Sequence, residues 1–194
     1  TALMSAAGRG HVAVVDVLVA AGVDVGAADA DGWTALHLSC QNGHDAVVRR
    51  LLHHGARATA VTSDRRTGVI LAAARGLVAV VDVLVAAGVD VGAADADGRT
   101  ALHHACLKGH DAAVRRLLDH GAAVTSTTDG GLTALMCAAS EGRVAVVDVL
   151  VAAGVDVDAA EPDGWTALHY ACQSGHIGVV RLLIAHGADV PATA

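Results

Sequence analysis

The residues of this chain best equipped for chemistry are its twelve histidines and four cysteines. Imidazole and thiolate are the common protein ligands of zinc, and a cysteine activated by a histidine is a common covalent catalyst. His54, His120 and His186 recur at intervals of 66 residues, and Cys40, Cys106 and Cys172 do the same. His53 and His54 are adjacent, and neighbouring positions on a helix do not face one ion together. No HExxH, GxSxG or phosphate-loop sequence is present. What the histidines and cysteines can do therefore depends on how far apart 66 residues lie in space.

The stretch Thr100 to Gly121, TALHHACLKGHDAAVRRLLDHG, shows the element that sets this distance. It reads as a short apolar helix, a break at Gly109-His110, and a second helix carrying Val114, Leu117 and Leu118 that closes at Gly121. Thr1, Thr34, Thr67, Thr100, Thr133 and Thr166 stand 33 residues apart, and so do Gly22, Gly55, Gly88, Gly121, Gly154 and Gly187. Six helix-turn-helix units follow in one phase, approximately 1–28 (truncated), 29–61, 62–94, 95–127, 128–160 and 161–194, as a single elongated domain. The threonine hydroxyl caps each first helix, and glycines such as Gly43 and Gly55 close the helices. Asp29-Ala-Asp-Gly32 and Asp95-Ala-Asp-Gly98 are turn sequences between units.

Packed helices lie roughly 8–10 Å apart, so residues two units apart are separated by about 20 Å. That exceeds the ~7 Å Cα limit for a disulfide and rules out one ion bound at about 2 Å by His54, His120 and His186. The three histidines read as donors near helix C-termini. Cys40, Cys106 and Cys172 read as free thiols in a helix core, with Cys137 elsewhere in its unit, and a reducing compartment, cytoplasm or nucleus, is implied. No metal, cofactor or catalytic residue is expected, and the chain is not expected to be an enzyme.

The 33-residue period and the Thr-Ala-Leu-His opening resemble the ankyrin repeat family over essentially the whole chain. The resemblance implies an all-α solenoid of stacked helix-turn-helix units with projecting β-turn fingers, acting as a scaffold that binds another protein. It also implies that His37, His103 and His169 tie the turn by bonding the opening threonine, where the odd units carry Met4, Ile70 and Met136. Ala35 stands where the family usually has Pro, and His44, His110 and His176 match a family packing position. The finger asparagine that is hydroxylated in some members is here Gly26, Thr59, Gly92, Thr125 or Asp158, so that role is not expected.

A formal charge of −7 with a single lysine argues against nucleic acid as a partner. Hydrophobic residues make up 54% of the chain, yet Asp16, Asp82 and Asp148 interrupt them before the roughly 20 apolar residues of a spanning helix accumulate, so no membrane role is expected. The absent initiator Met and the start inside a repeat suggest a fragment. Odd and even units differ: residues 12–32 and 78–98 are identical, and 144–164 repeat them with Asp158, Glu161 and Pro162 as the changes. Asp16, Arg49, Asp82, Arg115, Asp148 and Arg181 alternate in sign at one position and predict charge pairing between neighbouring units. In the third unit Arg65 replaces a finger glycine and Gly68 a helix-opening alanine, which predicts a rearranged finger and low local stability.

The binding surface is expected where the repeat pattern leaves residue type free. The position before each opening threonine carries Trp33, Arg66, Arg99, Leu132 and Trp165, where an indole is expected to bury nothing within its own unit. Asp31, Asp97 and Asp163 lie beside them, and the inner helices add Gln41, Asn42, Arg75, His104, Leu107, Lys108, Glu141, Tyr170 and Gln173. By resemblance the finger tips and inner-helix face meet protein partners, and Trp, Tyr and Arg are the types enriched at interface hot spots. Neither the first nor the last unit has the polar outer face of a cap, so end-to-end self-association as an architectural or self-associating segment is the alternative.

Overall fold

The computed structural model describes residues 1–190 and contains twelve helices among them. The first helices of the units are α1 (Ala2–Gly8), α3 (Ala35–Asn42), α5 (Gly68–Ala73), α7 (Ala101–Lys108), α9 (Ala134–Ser140) and α11 (Ala167–Gln173). The second helices are α2 (Val12–Ala20), α4 (Asp45–His53), α6 (Val78–Ala86), α8 (Asp111–Asp119), α10 (Val144–Ala152) and α12 (Ile177–Ala185). Each helix pairs with its partner in the unit and with the equivalent helix of the next unit, α1 on α3 and α2 on α4, and so along the stack. The chain is thus an all-α solenoid, with isolated antiparallel bridges such as Ala94 to Thr100 at the finger bases. The last four positions of the sixth unit, 191–194, lie outside the described residues.

Every first helix begins at the expected threonine, Thr1, Thr34, Thr67, Thr100, Thr133 or Thr166, in the N-cap position. In the even units the following histidine completes the cap. The Thr34 amide donates to His37 Nδ1 at 3.1 Å, and His37 Nε2 reaches the Ala60 carbonyl at 3.0 Å. His103 joins the Thr100 amide at 3.2 Å to the Leu132 carbonyl of the following unit, also at 3.2 Å. Met136 partly fills this role in the fifth unit, its sulfur accepting from the Thr133 amide at 3.4 Å. Ile70 has no acceptor, and α5 accordingly has a threonine cap without the reciprocal bond.

The core is a continuous seam of small and branched residues, including Ala72, Val81, Leu84, Ala105, Val114 and Leu117. Short alanine-rich first helices let successive units approach closely, and the valines and leucines of the second helices fill the space behind them. Cys40, Cys106 and Cys137 are buried free thiols. Cys172 departs from expectation and is exposed: among the described residues α11 packs on α9 and α12, whereas α3 and α7, which carry Cys40 and Cys106, are also covered by α5 and α9. Burial raises the Cys40 thiol to about 12 and the Cys137 thiol to about 11.

Two other expectations are corrected. Arg65 is the one non-glycine residue with positive φ among those described, at 60°, yet its finger is not rearranged. Its amide reaches the Thr62 carbonyl at 2.9 Å, matching Gly32 to Asp29 at 3.1 Å and Gly98 to Asp95 at 3.2 Å. The neighbouring fingers hold it there: Ser63 N–H donates to Asp31 O at 2.9 Å, and Ala96 N–H to Asp64 O at 3.0 Å. A third such bond, Asp129 to Asp97, follows at 3.1 Å, and Pro162, which has no N–H, occupies the next donor position. The charge pairing also uses a different register. Asp16 pairs with Arg50 at 3.0 Å and Asp82 with Arg116 at 3.2 Å, whereas Arg49 and Arg115 turn to Asp45 and Asp111 in their own helices. Leu182 stands where Asp148 would need the next arginine.

Candidate functional site

The finger carboxylates shape the edge on which the candidate residues stand. Asp29 Oδ1 accepts from the Asp31 and Trp33 amides at 3.1 and 2.8 Å, and Asp95 Oδ1 from Asp97 and Arg99 at 3.0 and 2.9 Å. Glu161 serves Asp163 and Trp165 in the same way at 3.0 and 3.1 Å. Each turn is therefore closed by its own side chain. The closure sets Trp33, Arg66, Arg99, Leu132 and Trp165 as one row, a residue per unit, at the entry to the first helices.

The members of that row differ in what remains free. Trp33 is half-buried and meets His37 edge-on, with ring centroids 6.0 Å apart, so it packs within its own unit rather than burying nothing there. Trp165 is 37% exposed and lies 5.4 Å from Tyr170 and 5.9 Å from His169 between ring centroids. Burial, then the Glu161 and Asp163 carboxylates, raise the Tyr170 phenol above its ordinary value, which keeps it a hydrogen-bond donor. Arg66 pairs with Asp64 at 2.9 Å and Arg99 with Asp97 at 3.5 Å. Leu132 is half-buried, and Asp31, Asp97 and Asp163 are exposed.

Along the ends of the first helices, Arg75, Lys108 and Gln173 are exposed and Gln41 and Leu107 half-buried. Asn42 is engaged internally, its amide donating to Gly8 O at 2.8 Å, and Glu141 lies 3.6 Å from Arg143. His104 is turned inward. Its Nε2 meets Asp95 Oδ2 at 2.7 Å, and both residues are buried. Burial alone pushes the Asp95 carboxyl up, but the His104 bond and the Arg99 and Asp97 amides outweigh it and leave the group below the usual carboxylate range. Asp95 was legible only as a turn residue; its pairing depends on a histidine nine positions later at a site that is leucine in the two preceding units.

Among the described residues no three His, Cys, Asp or Glu side chains gather as a metal site. His44, His110 and His176 each bond a carbonyl of the preceding unit, Gly8, Ala74 and Ser140, at 3.2, 3.2 and 3.0 Å. His120 lies 3.0 Å from Asp82, and His186 Nδ1 lies 2.9 Å from Leu182 O at its own helix end. A groove of about 760 Å³, lined by Asp24, His54, Arg57 and Thr59 among others, includes no Trp or Tyr and none of the candidate residues. No described helix is long and apolar enough to cross a membrane.

The model of the family described as ankyrin repeats matches three times, over residues 1–62, 69–161 and 124–194. The chain belongs to the ankyrin repeat family. The crystal structure of the human ASB11 ankyrin repeat domain is similar to it at 29% identity with a TM-score of 0.88, covering 97% of this chain and 85% of that one. The ankyrin repeat domain of Bcl-3, a member of the IkappaB protein family, is similar at 28% identity and a TM-score of 0.85, covering 97% and 87%. No curated protein matches in sequence. Ankyrin repeat domains in general mediate protein–protein interaction, and the family is typically non-enzymatic.

Proposed function

We propose that this chain is a non-enzymatic, intracellular scaffold, one ankyrin domain over 1–194, that holds a protein partner across its finger row and first-helix ends. The observation that carries the reading is the Trp165–Tyr170 pair, two large rings 5.4 Å apart with the indole open at the finger base. Aromatic rings presented together offer large contact area with few rotors to immobilise, which is what interface anchors need. Arg66, Arg75, Arg99 and Lys108 supply charge for orientation toward the middle of the same row. Affinity capture by the wild-type chain and by Trp165→Ala/Tyr170→Ala tests it. A partner lost by a variant that melts at the wild-type temperature supports the reading, and identical capture by both sinks it.

A further inference from the structure

Arg65 holds a disfavoured conformation and makes no ion pair that explains it. Its φ of 60° strains any side chain, and the equivalent positions Gly32, Gly98, Gly131 and Gly164 are all glycine. The bonds from the neighbouring fingers fix the backbone there, and they would fix a glycine equally well. The arginine side chain is exposed, and no carboxylate among the described residues pairs with it. A strained residue that the fold itself does not need points to a role outside the fold.

Its surroundings say which role. On the fingers and first-helix ends of the third and fourth units stand Arg65, Arg66, Arg75, Arg99 and Lys108, and the carboxylates that reach the same surface are Asp64 and Asp97. Asp95 is buried against His104. Arg66 and Arg99 pair with Asp64 and Asp97 yet stay 41% and 39% exposed, while Arg75 and Lys108 are exposed and have no carboxylate partner among the described residues. On the second helices, by contrast, Arg49, Arg50, Arg115 and Arg116 each meet an aspartate. Within these two units every arginine or lysine without a carboxylate therefore lies on the finger and first-helix surface. Both units sit inside the stack, α5 between α3 and α7 and α7 between α5 and α9.

Resting on the partner-binding reading, we propose that the partner presents an acidic segment, and that Arg65, Arg66, Arg75, Arg99 and Lys108 receive its carboxylates across the third and fourth units. Neighbouring first helices lie about 8–10 Å apart, which an extended chain covers in about three residues. Aspartates or glutamates three positions apart therefore reach both units at once. Guanidinium groups match carboxylates in shape as well as charge. A nucleic-acid strand fits less well, because it carries a phosphate about every 3.4 Å and cannot leave a gap where Asp64 and Asp97 stand. A protein segment places a neutral residue there.

Fluorescence anisotropy of a labelled octaglutamate peptide at about 50 mM salt, where exposed charges are weakly screened, tests this. The wild-type chain is expected to bind it. Arg75→Glu/Lys108→Glu should weaken binding about tenfold or more, and Arg65→Gly about two- to fivefold while melting above the wild type. Arg49→Glu/Arg115→Glu makes the same change of net charge on the second helices and should bind as the wild type does. All these side chains are exposed, so the variants keep the helical spectrum; Arg75→Gln/Lys108→Gln replaces the first double variant if it does not fold. A wild-type chain that ignores the peptide, equal losses in the two double reversals, or unchanged binding by Arg65→Gly overturns the proposal. So does an octathymidylate strand that competes as well as the peptide, since the surface would then accept any polyanion. A partner captured by the wild type, lost by Trp165→Ala/Tyr170→Ala and kept by Arg75→Glu/Lys108→Glu removes the acidic segment and leaves the partner-binding reading standing.

Discussion

Asp95 closes its finger by accepting two backbone amides through Oδ1, while its Oδ2 meets His104 Nε2 at 2.7 Å. One buried carboxylate thus joins the turn to the following helix. Asp95→Ala is expected to cost about 3 kcal/mol, since it strands two amides and a buried imidazole. His104→Leu restores the residue found at Leu38 and Leu71 but leaves Oδ2 of the buried carboxylate without its partner, and should cost about 1–2 kcal/mol, less than Asp95→Ala because the two amides keep their acceptor. Urea denaturation of both variants checks the order; equal losses would refute this division of labour.

His37 and His103 titrate below the ordinary imidazole value, because burial opposes their charge more than the bonds to Ala60 and Leu132 favour it. The unfolded chain takes up protons near 6.5, which the folded one resists. Their contribution is therefore complete above that pH and declines as pH falls toward the folded values. Asp95, with its value lowered, adds a second loss as pH falls below the ordinary carboxyl value of 3.8. Denaturation midpoints should fall between about pH 7 and 5, and His37→Met/His103→Met, which copies Met4 and Met136, should flatten that fall. An unchanged slope in the double variant would exclude these two groups as its source.

Arg65 holds a φ of 60°, which costs a side chain about 1 kcal/mol relative to glycine. Arg65 is exposed, and its equivalents Gly32, Gly98, Gly131 and Gly164 all adopt positive φ. Arg65→Gly is expected to raise the melting temperature by a few degrees and to leave the spectrum unchanged. A fall in melting temperature would mean that the arginine makes a contact worth more than the strain.

Arg50 and Arg49 are neighbours in sequence with different partners, Asp16 across the unit boundary and Asp45 within the helix. All four side chains are substantially exposed, so each pair is worth only about 0.2–1 kcal/mol. Arg50→Ala should destabilise more than Arg49→Ala at low ionic strength, and the difference should vanish in about 1 M salt. Equal effects at low salt would show that the cross-unit pair adds nothing.

Cys172 is the one exposed thiol of four. A thiol reagent at low protein concentration should label a single site in the native chain and none in Cys172→Ser, while the unfolded chain reacts at every cysteine. Rapid labelling of Cys40 or Cys106 would indicate local opening of the stack.

The sequence alone determined the period, the helix pairs, the threonine caps and the family. These are local features: a cap needs residues three apart, a turn needs an Asp and a Gly, and thirty-three residues returning to the same pattern leave few alternatives. It also placed His44, His110 and His176 correctly as packing groups, because their repetition outweighed their chemistry. What it did not decide were the contacts between units. Only the stacked structure showed that Arg50 rather than Arg49 reaches Asp16, since a one-position change on a helix rotates a side chain by about 100°. The stack likewise held Arg65 in a glycine's conformation, with bonds from the fingers on either side outweighing a local preference. His104 turned inward because Asp95 was there to receive it, and Cys172 stayed open because among the described helices only α9 and α12 pack on α11. Both outcomes depend on which surface faces which, a property of the assembled layers rather than of any one repeat.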